Sequence, residues 1–155
     1  MADPEVDETR RQWHKRFAVD ANNRAWALSE LPTLTEDEQR EMLVAAHASA
    51  YHWSVIGTPT HHARADLLLG RVYALLGHGG PAQQFASRAL AGISASQPEM
   101  WELAFAHAVQ ANAAAIAGDA STHADHYARA SRLGEQLDGE DRDIFLKTFS
   151  LIPVP

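Results

Sequence analysis

Glycine and proline breaks divide this sequence into about seven segments, and the apolar residues within the segments recur at helical spacing. In the first segment they form a single stripe: Trp13, Phe17, Ala21, Ala25 and Leu28. Almost no segment alternates apolar and polar residues, as a half-buried strand would. The sequence therefore predicts an all-α chain of about seven helices.

Capping patterns predict where several of these helices begin and end. Thr35 with Glu38 has the spacing of a capping box, and so does Ser96 with Glu99. In this motif a hydroxyl and a carboxylate bond to backbone N–H groups that the first helical turn leaves free. Gly77 fits a left-handed cap after the third helix, because glycine readily adopts that conformation, and the fifth helix is expected to end at Gly118.

Length and composition indicate one globular domain over residues 1–155, with extended or flexible tails at 1–7 and 150–155. With 46% hydrophobic and 21% charged residues, the chain can bury a core, which excludes disorder over most of its length. The formal net charge is −7, without a basic stripe. Nucleic-acid binding is therefore not expected, because it requires clustered Lys and Arg side chains against the phosphates.

Three features favour a soluble protein of the cytoplasm. The chain has no cysteine, which excludes disulfides, thiolate nucleophiles and zinc–thiolate sites. Residues 1–8 are acidic and lack the charged-then-apolar order of a signal peptide. The most apolar stretch, 103–117, is too short for a membrane-spanning helix of about 20 residues, so no membrane association is expected.

The third and fourth helices carry small residues and a tyrosine in the order and spacing of a helical repeat: Leu69, Gly70, Tyr73, Gly77, Ala82, Ala86 and Ala89. A weaker copy follows, with Ala111, Ala114, Gly118, His123, Tyr127 and Ala130. This pattern resembles the tetratricopeptide repeat, in which glycine and alanine let two helices approach closely. Asp66 and Ser94 depart from it, standing where the repeat usually has tryptophan and proline.

Segments 46–53, 57–59 and 101–106 are also similar to those of short bacterial tetratricopeptide-like proteins. The resemblance covers about 63–130 best, with the first two helices as a degenerate or capping pair. It implies antiparallel helix pairs in a right-handed array and a concave face that binds other proteins. It implies no activity, because fold alone does not define function.

An arginine pair suggests one ligand for such a concave face. If the third and fifth helices are the inner ones, the groove receives Arg64 and Arg71 from one and Asn112 from the other. Guanidinium groups suit carboxylates, so an acidic peptide segment is the expected partner. The alternative is that both arginines are solvated surface residues.

Polar and aromatic residues in two other helices are further candidates for ligand binding. Tyr51 and His52 adjoin Trp53 in the second helix, where they could stack on a ligand or simply belong to the core. In the apolar fifth helix, His107 and its polar neighbours Glu102, Gln110 and Asn112 are costly to bury. They therefore either satisfy one another or line a pocket.

Nine histidines raise the question of a metal site. His123 and His126 are three residues apart on one helix and could reach one ion, although an exposed face or a packing role explains the spacing equally simply. No HExxH motif or paired Glu-x-x-His motif accompanies them. We therefore predict no metal and no other cofactor, with these two histidines as weak candidates.

The sequence leaves two functional hypotheses. It lacks a phosphate-binding glycine loop, a GxSxG motif and a catalytic cysteine, which favours a non-catalytic protein or peptide interaction module. Self-association is also expected, because Ile144, Phe145 and Phe149 give the last helix many apolar groups that must fold back or meet a partner. The alternative is a small enzyme, or a metal or small-molecule binder, with a cavity lined by His52 and His107.

Overall fold

The computed structural model describes residues 7–155, which form seven helices and no strand. The helices are α1 (Glu8–Ser29), α2 (Glu36–Ile56), α3 (Pro59–Leu75), α4 (Gly79–Ser94), α5 (Met100–Ala117), α6 (Ala120–Glu135) and α7 (Gly139–Phe149). This confirms the predicted all-α class and the number of helices. The part of the predicted N-terminal tail before Asp7 lies outside the described residues.

Side-chain caps fix several of the helix ends. Thr35 accepts a hydrogen bond from the Glu38 amide, and the Glu38 carboxylate accepts one from the Thr35 amide, which completes the predicted capping box of α2. Asp119 caps α6 by accepting from the amide of Thr122. Gly118 ends α5 in the left-handed region, with φ of 77°.

The second predicted capping box, at Ser96 and Glu99, was wrong. Ser96 Oγ instead donates to the carbonyl of Ile93, 2.7 Å away, at the end of α4. The chain then turns through Gln97, whose φ is 53°, and Pro98, so that Glu99 becomes the N-cap of α5. Proline disfavours a helical conformation for the residue before it, which separates Ser96 from the start of the helix.

Successive helices form three antiparallel pairs, α1 with α2, α3 with α4 and α5 with α6. Across the first pair His14 meets His52 and Arg24 meets Glu41, as an antiparallel arrangement requires. The odd-numbered helices also form a row, with α1 against α3, α3 against α5 and α5 against α7. This row provides one continuous face of the molecule.

Small residues allow the central pair to approach closely, as the repeat pattern predicted. A Cβ atom on Gly70 of α3 would lie 3.0 Å from the amide nitrogen of Ala86 in α4. Tyr73 packs beside this contact with its ring parallel to Phe85, the two centroids 5.6 Å apart. The buried apolar residues form an N-terminal group from α1 to α3 and a C-terminal group from α3 to α7 and the tail. Tyr73 packs against both groups and so joins the two parts of the core.

The last helix folds back onto the array. Phe145 is buried and Phe149 half-buried against the C-terminal part of the core, which accounts for two of the apolar groups that suggested self-association. The tail that follows is not helical but packs against the array, since Ile152 is buried and the Pro153 carbonyl lies 2.7 Å from His123 Nε2.

Among the described residues, no helix is long and apolar enough to cross a membrane.

Candidate functional site

A pocket of about 480 Å³ opens on the row of odd-numbered helices. All four of them contribute to its lining: Asn22, Trp26 and Glu30 from α1 and its end, Arg64 and Leu67 from α3, Trp101, Glu102 and Phe105 from α5, and Asp141, Ile144 and Thr148 from α7. The site therefore depends on the packing of the whole array rather than on one helix pair.

Three aromatic rings form most of the apolar wall. Trp26 meets Phe105 at nearly a right angle, with centroids 6.5 Å apart, and Trp101 meets the same ring at 6.4 Å. Phe105 is itself supported from behind by Phe145. Trp101 remains 38% exposed, so its indole is available to a ligand.

An ion pair lies in the pocket wall between α3 and α5. Arg64 Nε donates to Glu102 Oε1 at 2.6 Å, and the Glu102 side chain is only 5% exposed. The hydrogen bond to Glu102 raises the pKa of Arg64 above its ordinary value. Loss of Arg64 would leave the buried carboxylate of Glu102 without its partner, which is energetically costly.

Arg71 corrects the expectation of an exposed arginine pair. Its side chain is buried, and its guanidinium donates to Ser29 Oγ at 3.0 Å, to the Ser29 carbonyl and to Thr148 Oγ1. It also lies 5.0 Å from the centroid of the Trp26 ring. Burial lowers the pKa of Arg71 from its ordinary value. Arg71 therefore holds α1, α3 and α7 together beneath the pocket instead of facing a ligand.

A smaller pocket of about 290 Å³ adjoins the first and shares Asn22 and Arg64 with it. Its other lining residues are Val19, Trp53, His61 and Ala65. The rings of Trp53 and His61 are stacked, with centroids 4.1 Å apart and an angle of 14° between the planes. Because they share these lining residues, the two pockets form one longer groove.

Tyr51 and His52 line neither of the two pockets. The His52 Nδ1 atom is 2.9 Å from His14 Nδ1, so one imidazole donates and the other accepts. Tyr51 is 61% exposed, beside these two rings. Burial, together with the neighbouring His14, lowers the pKa of His52. This pair connects α1 to α2 at the free end of the array.

His107 forms a second histidine pair, between α5 and α6. Its Nδ1 is 2.8 Å from Nδ1 of His126, while His123 turns instead to the Pro153 carbonyl. The two weak metal candidates thus have different partners. In the part of the chain that the structure describes, no three His, Cys, Asp or Glu side chains are placed to hold an ion.

The candidates from the sequence do not converge on one cavity. Of these candidates Arg64 and Glu102 line the larger pocket, where they are bonded to each other, and Asn112 is half-buried outside its lining. Two other polar residues of α5 have partners away from the pocket: Gln110 accepts from Ser87 Oγ at 3.1 Å, and His107 is paired with His126. Sequence reasoning missed Trp26 and Trp101, because an aromatic residue on an apolar stripe is indistinguishable from core until the neighbouring helices are placed.

Fold and site together define an all-helical protein in which four helices share one apolar pocket. No family model, curated protein or solved structure matches the chain. The case for a function therefore depends on the pocket itself.

Proposed function

We propose that this chain is a non-catalytic interaction module, a tetratricopeptide-like right-handed array that binds a segment of another protein along its odd-numbered helices. The observation that carries the proposal is the pocket of about 480 Å³ to which α1, α3, α5 and α7 all contribute. Helical arrays use such a shared face for binding. The lack of cysteine in the sequence supports a cytoplasmic setting for this module.

The chemistry of the lining favours an apolar segment as the ligand. Tryptophan and phenylalanine provide large contact areas, and such residues dominate binding energies at protein interfaces. The acidic segment expected from the sequence loses part of its basis, because Arg71 is buried and Arg64 is bonded to Glu102. We therefore propose the aromatic wall, rather than the arginines, as the main source of affinity.

A small apolar molecule is the second candidate ligand, because the volume lies within the usual range of about 300–1,000 Å³ for small-molecule sites. A cavity lined by His52 and His107 loses support, since these residues belong to separate histidine pairs. Self-association remains a prediction, and the stacked rings of Trp13 and Phe17, each about half exposed, are among the apolar groups available for it in the first helix pair.

Selection from a random library of ten-residue peptides tests the proposal. Peptides that bind the wild-type protein should bind the Trp101→Ala variant at least about tenfold more weakly, because truncating a central tryptophan removes its contact area. Met100→Ala is the matched control, since Met100 is the preceding residue, is 42% exposed and does not line the pocket. Peptides that bind both variants as well as wild type would contradict a binding site at this pocket.

A further inference from the structure

The charges around the larger pocket come from every helix that forms it. Glu30, Glu102 and Asp141 supply carboxylates, and Arg64 supplies the one cation in the lining. The Arg64–Glu102 pair neutralises itself at 2.6 Å. Glu30 and Asp141, which are both exposed and both line the pocket, remain as carboxylates for a ligand.

A further cation, Arg71, lies close to the pocket, because it contacts the lining residues Thr148 and Trp26. Its relation to Glu30 therefore decides whether that carboxylate is available to a ligand. The guanidinium of Arg71 bonds to Ser29 and Thr148, and no hydrogen bond joins it to Glu30 among the described residues. The charge of Glu30 does act on Arg71, since it opposes the lowering of the Arg71 pKa by burial. The guanidinium is also covered by the ring of Trp26. A ligand in the pocket therefore meets the exposed Glu30 directly, whereas Arg71 lies behind Trp26 and Thr148.

The aromatic wall also suits a cation. A positive charge is attracted to the face of a tryptophan ring within about 6 Å, and a flanking carboxylate strengthens this attraction. Trp26 already holds Arg71 on one face, whereas no such cation contact occupies Trp101 in the described part of the chain. Trp101 is therefore the ring available to a basic side chain of the ligand.

We infer that the segment bound in this pocket carries a lysine or arginine beside its apolar anchor, with the anchor on the aromatic wall and the basic group between Trp101, Glu30 and Asp141. This inference rests on the proposed function and specifies the partner's chemistry. It replaces the acidic partner that the two arginines suggested, since one of those arginines is buried and the other is paired.

The peptide selection provides the test. Peptides whose binding depends on Trp101 should be enriched in Lys and Arg over Asp and Glu. The double variant Glu30→Gln/Asp141→Asn should bind such a lysine-containing peptide about five- to tenfold more weakly, with less dependence on salt, because two carboxylates near the ligand are removed. Far-ultraviolet circular dichroism should confirm unchanged folding, because both residues are exposed.

The control must separate this pocket from the general attraction of an acidic chain for basic peptides. Glu140→Gln/Asp143→Asn makes the same change in net charge on α7 at two exposed residues that do not line the pocket, and it should leave binding nearly unchanged. Equal weakening by both double variants would overturn the inference, as would Trp101-dependent peptides that are neutral or acidic. If no selected peptide depends on Trp101, the proposed function fails and this inference fails with it.

Discussion

At the scale of single residues, burial decides which polar groups are free for function. Arg71 and Arg64 are seven positions apart on α3, yet one is enclosed by three helices and the other is half exposed. The sequence gives the spacing of the two residues but not the position of α7, whose Thr148 completes the enclosure of Arg71. The prediction that Arg71 binds a ligand assumed an exposed guanidinium, and that assumption was wrong because Arg71 is buried.

Truncation of Arg71 is therefore expected to destabilise the fold. Arg71→Ala removes the hydrogen bonds to Ser29 and Thr148 and leaves a cavity beneath Trp26, which should lower the free energy of unfolding by about 2–4 kcal/mol. Arg16→Ala serves as the control. Arg16 is exposed, and its Nε lies 3.9 Å from Oδ2 of the exposed Asp20, an ion pair that adds little to stability. Urea unfolding measures both variants, and equal stabilities would show that Arg71 has no structural role.

The paired histidines predict a dependence of stability on pH. Burial first, and then the charge of His126, lower the pKa of His107 to about 4, with Arg129 acting in the same direction and Asp125 against it. In the unfolded chain a histidine titrates near 6.5. The unfolded state therefore binds the proton more tightly. Stability should be complete above about pH 6.5 and should decrease as the pH falls toward 4, by about 2–3 kcal/mol in all.

Substitution of His107 isolates this contribution. In His107→Gln the loss of stability between pH 6.5 and pH 4 should be smaller than in wild type, whatever the stability of the variant at neutral pH. His78→Gln is the control, because His78 is exposed at the start of α4. Denaturant unfolding at a series of pH values gives the slopes, and a slope that His107→Gln leaves unchanged would contradict the assignment.

At the scale of elements, local chemistry predicted most of the helix boundaries. The caps at Thr35, Gly118 and Asp119 act within one turn of the chain, so their residues and spacing are sufficient to locate them. The Ser96–Glu99 pattern has the same spacing but contains Pro98, which disfavours the helical conformation that the motif needs at Gln97. A capping box is therefore predictable only when the residues between its members can be helical.

The contact between α3 and α4 gives a prediction about an element pair. Gly70→Leu should lower the free energy of unfolding by roughly 1–3 kcal/mol or more, because the side chain would enter the backbone of Ala86. Gly80→Leu is the control, since no atom lies within 4 Å of a Cβ at that position. Thermal unfolding compares the two. Equal melting temperatures for the Gly70 variant and wild type would mean that the pair does not pack as described.

At the scale of the whole molecule, the pocket is a property that no single segment of sequence could reveal. Each helix was predictable from its own periodicity, but Trp26 and Ile144 are more than one hundred residues apart and line the same pocket only because the odd-numbered helices stack in a row. The packing of the helices also places His52 against His14, outside the groove, and buries Arg71. Long-range packing therefore decided the site, whereas local pattern decided the fold class.

Amide chemical-shift mapping with a selected peptide tests the central claim most directly. If the odd-numbered helices form the binding face, the largest shifts should fall on residues that line the larger pocket, including Trp26, Leu67, Trp101 and Ile144, with smaller changes on α2 and α4. The Met100→Ala variant should reproduce this map and Trp101→Ala should weaken it. Shifts concentrated instead around Tyr51 and His52, or on the outer faces of α2 and α4, would contradict the account.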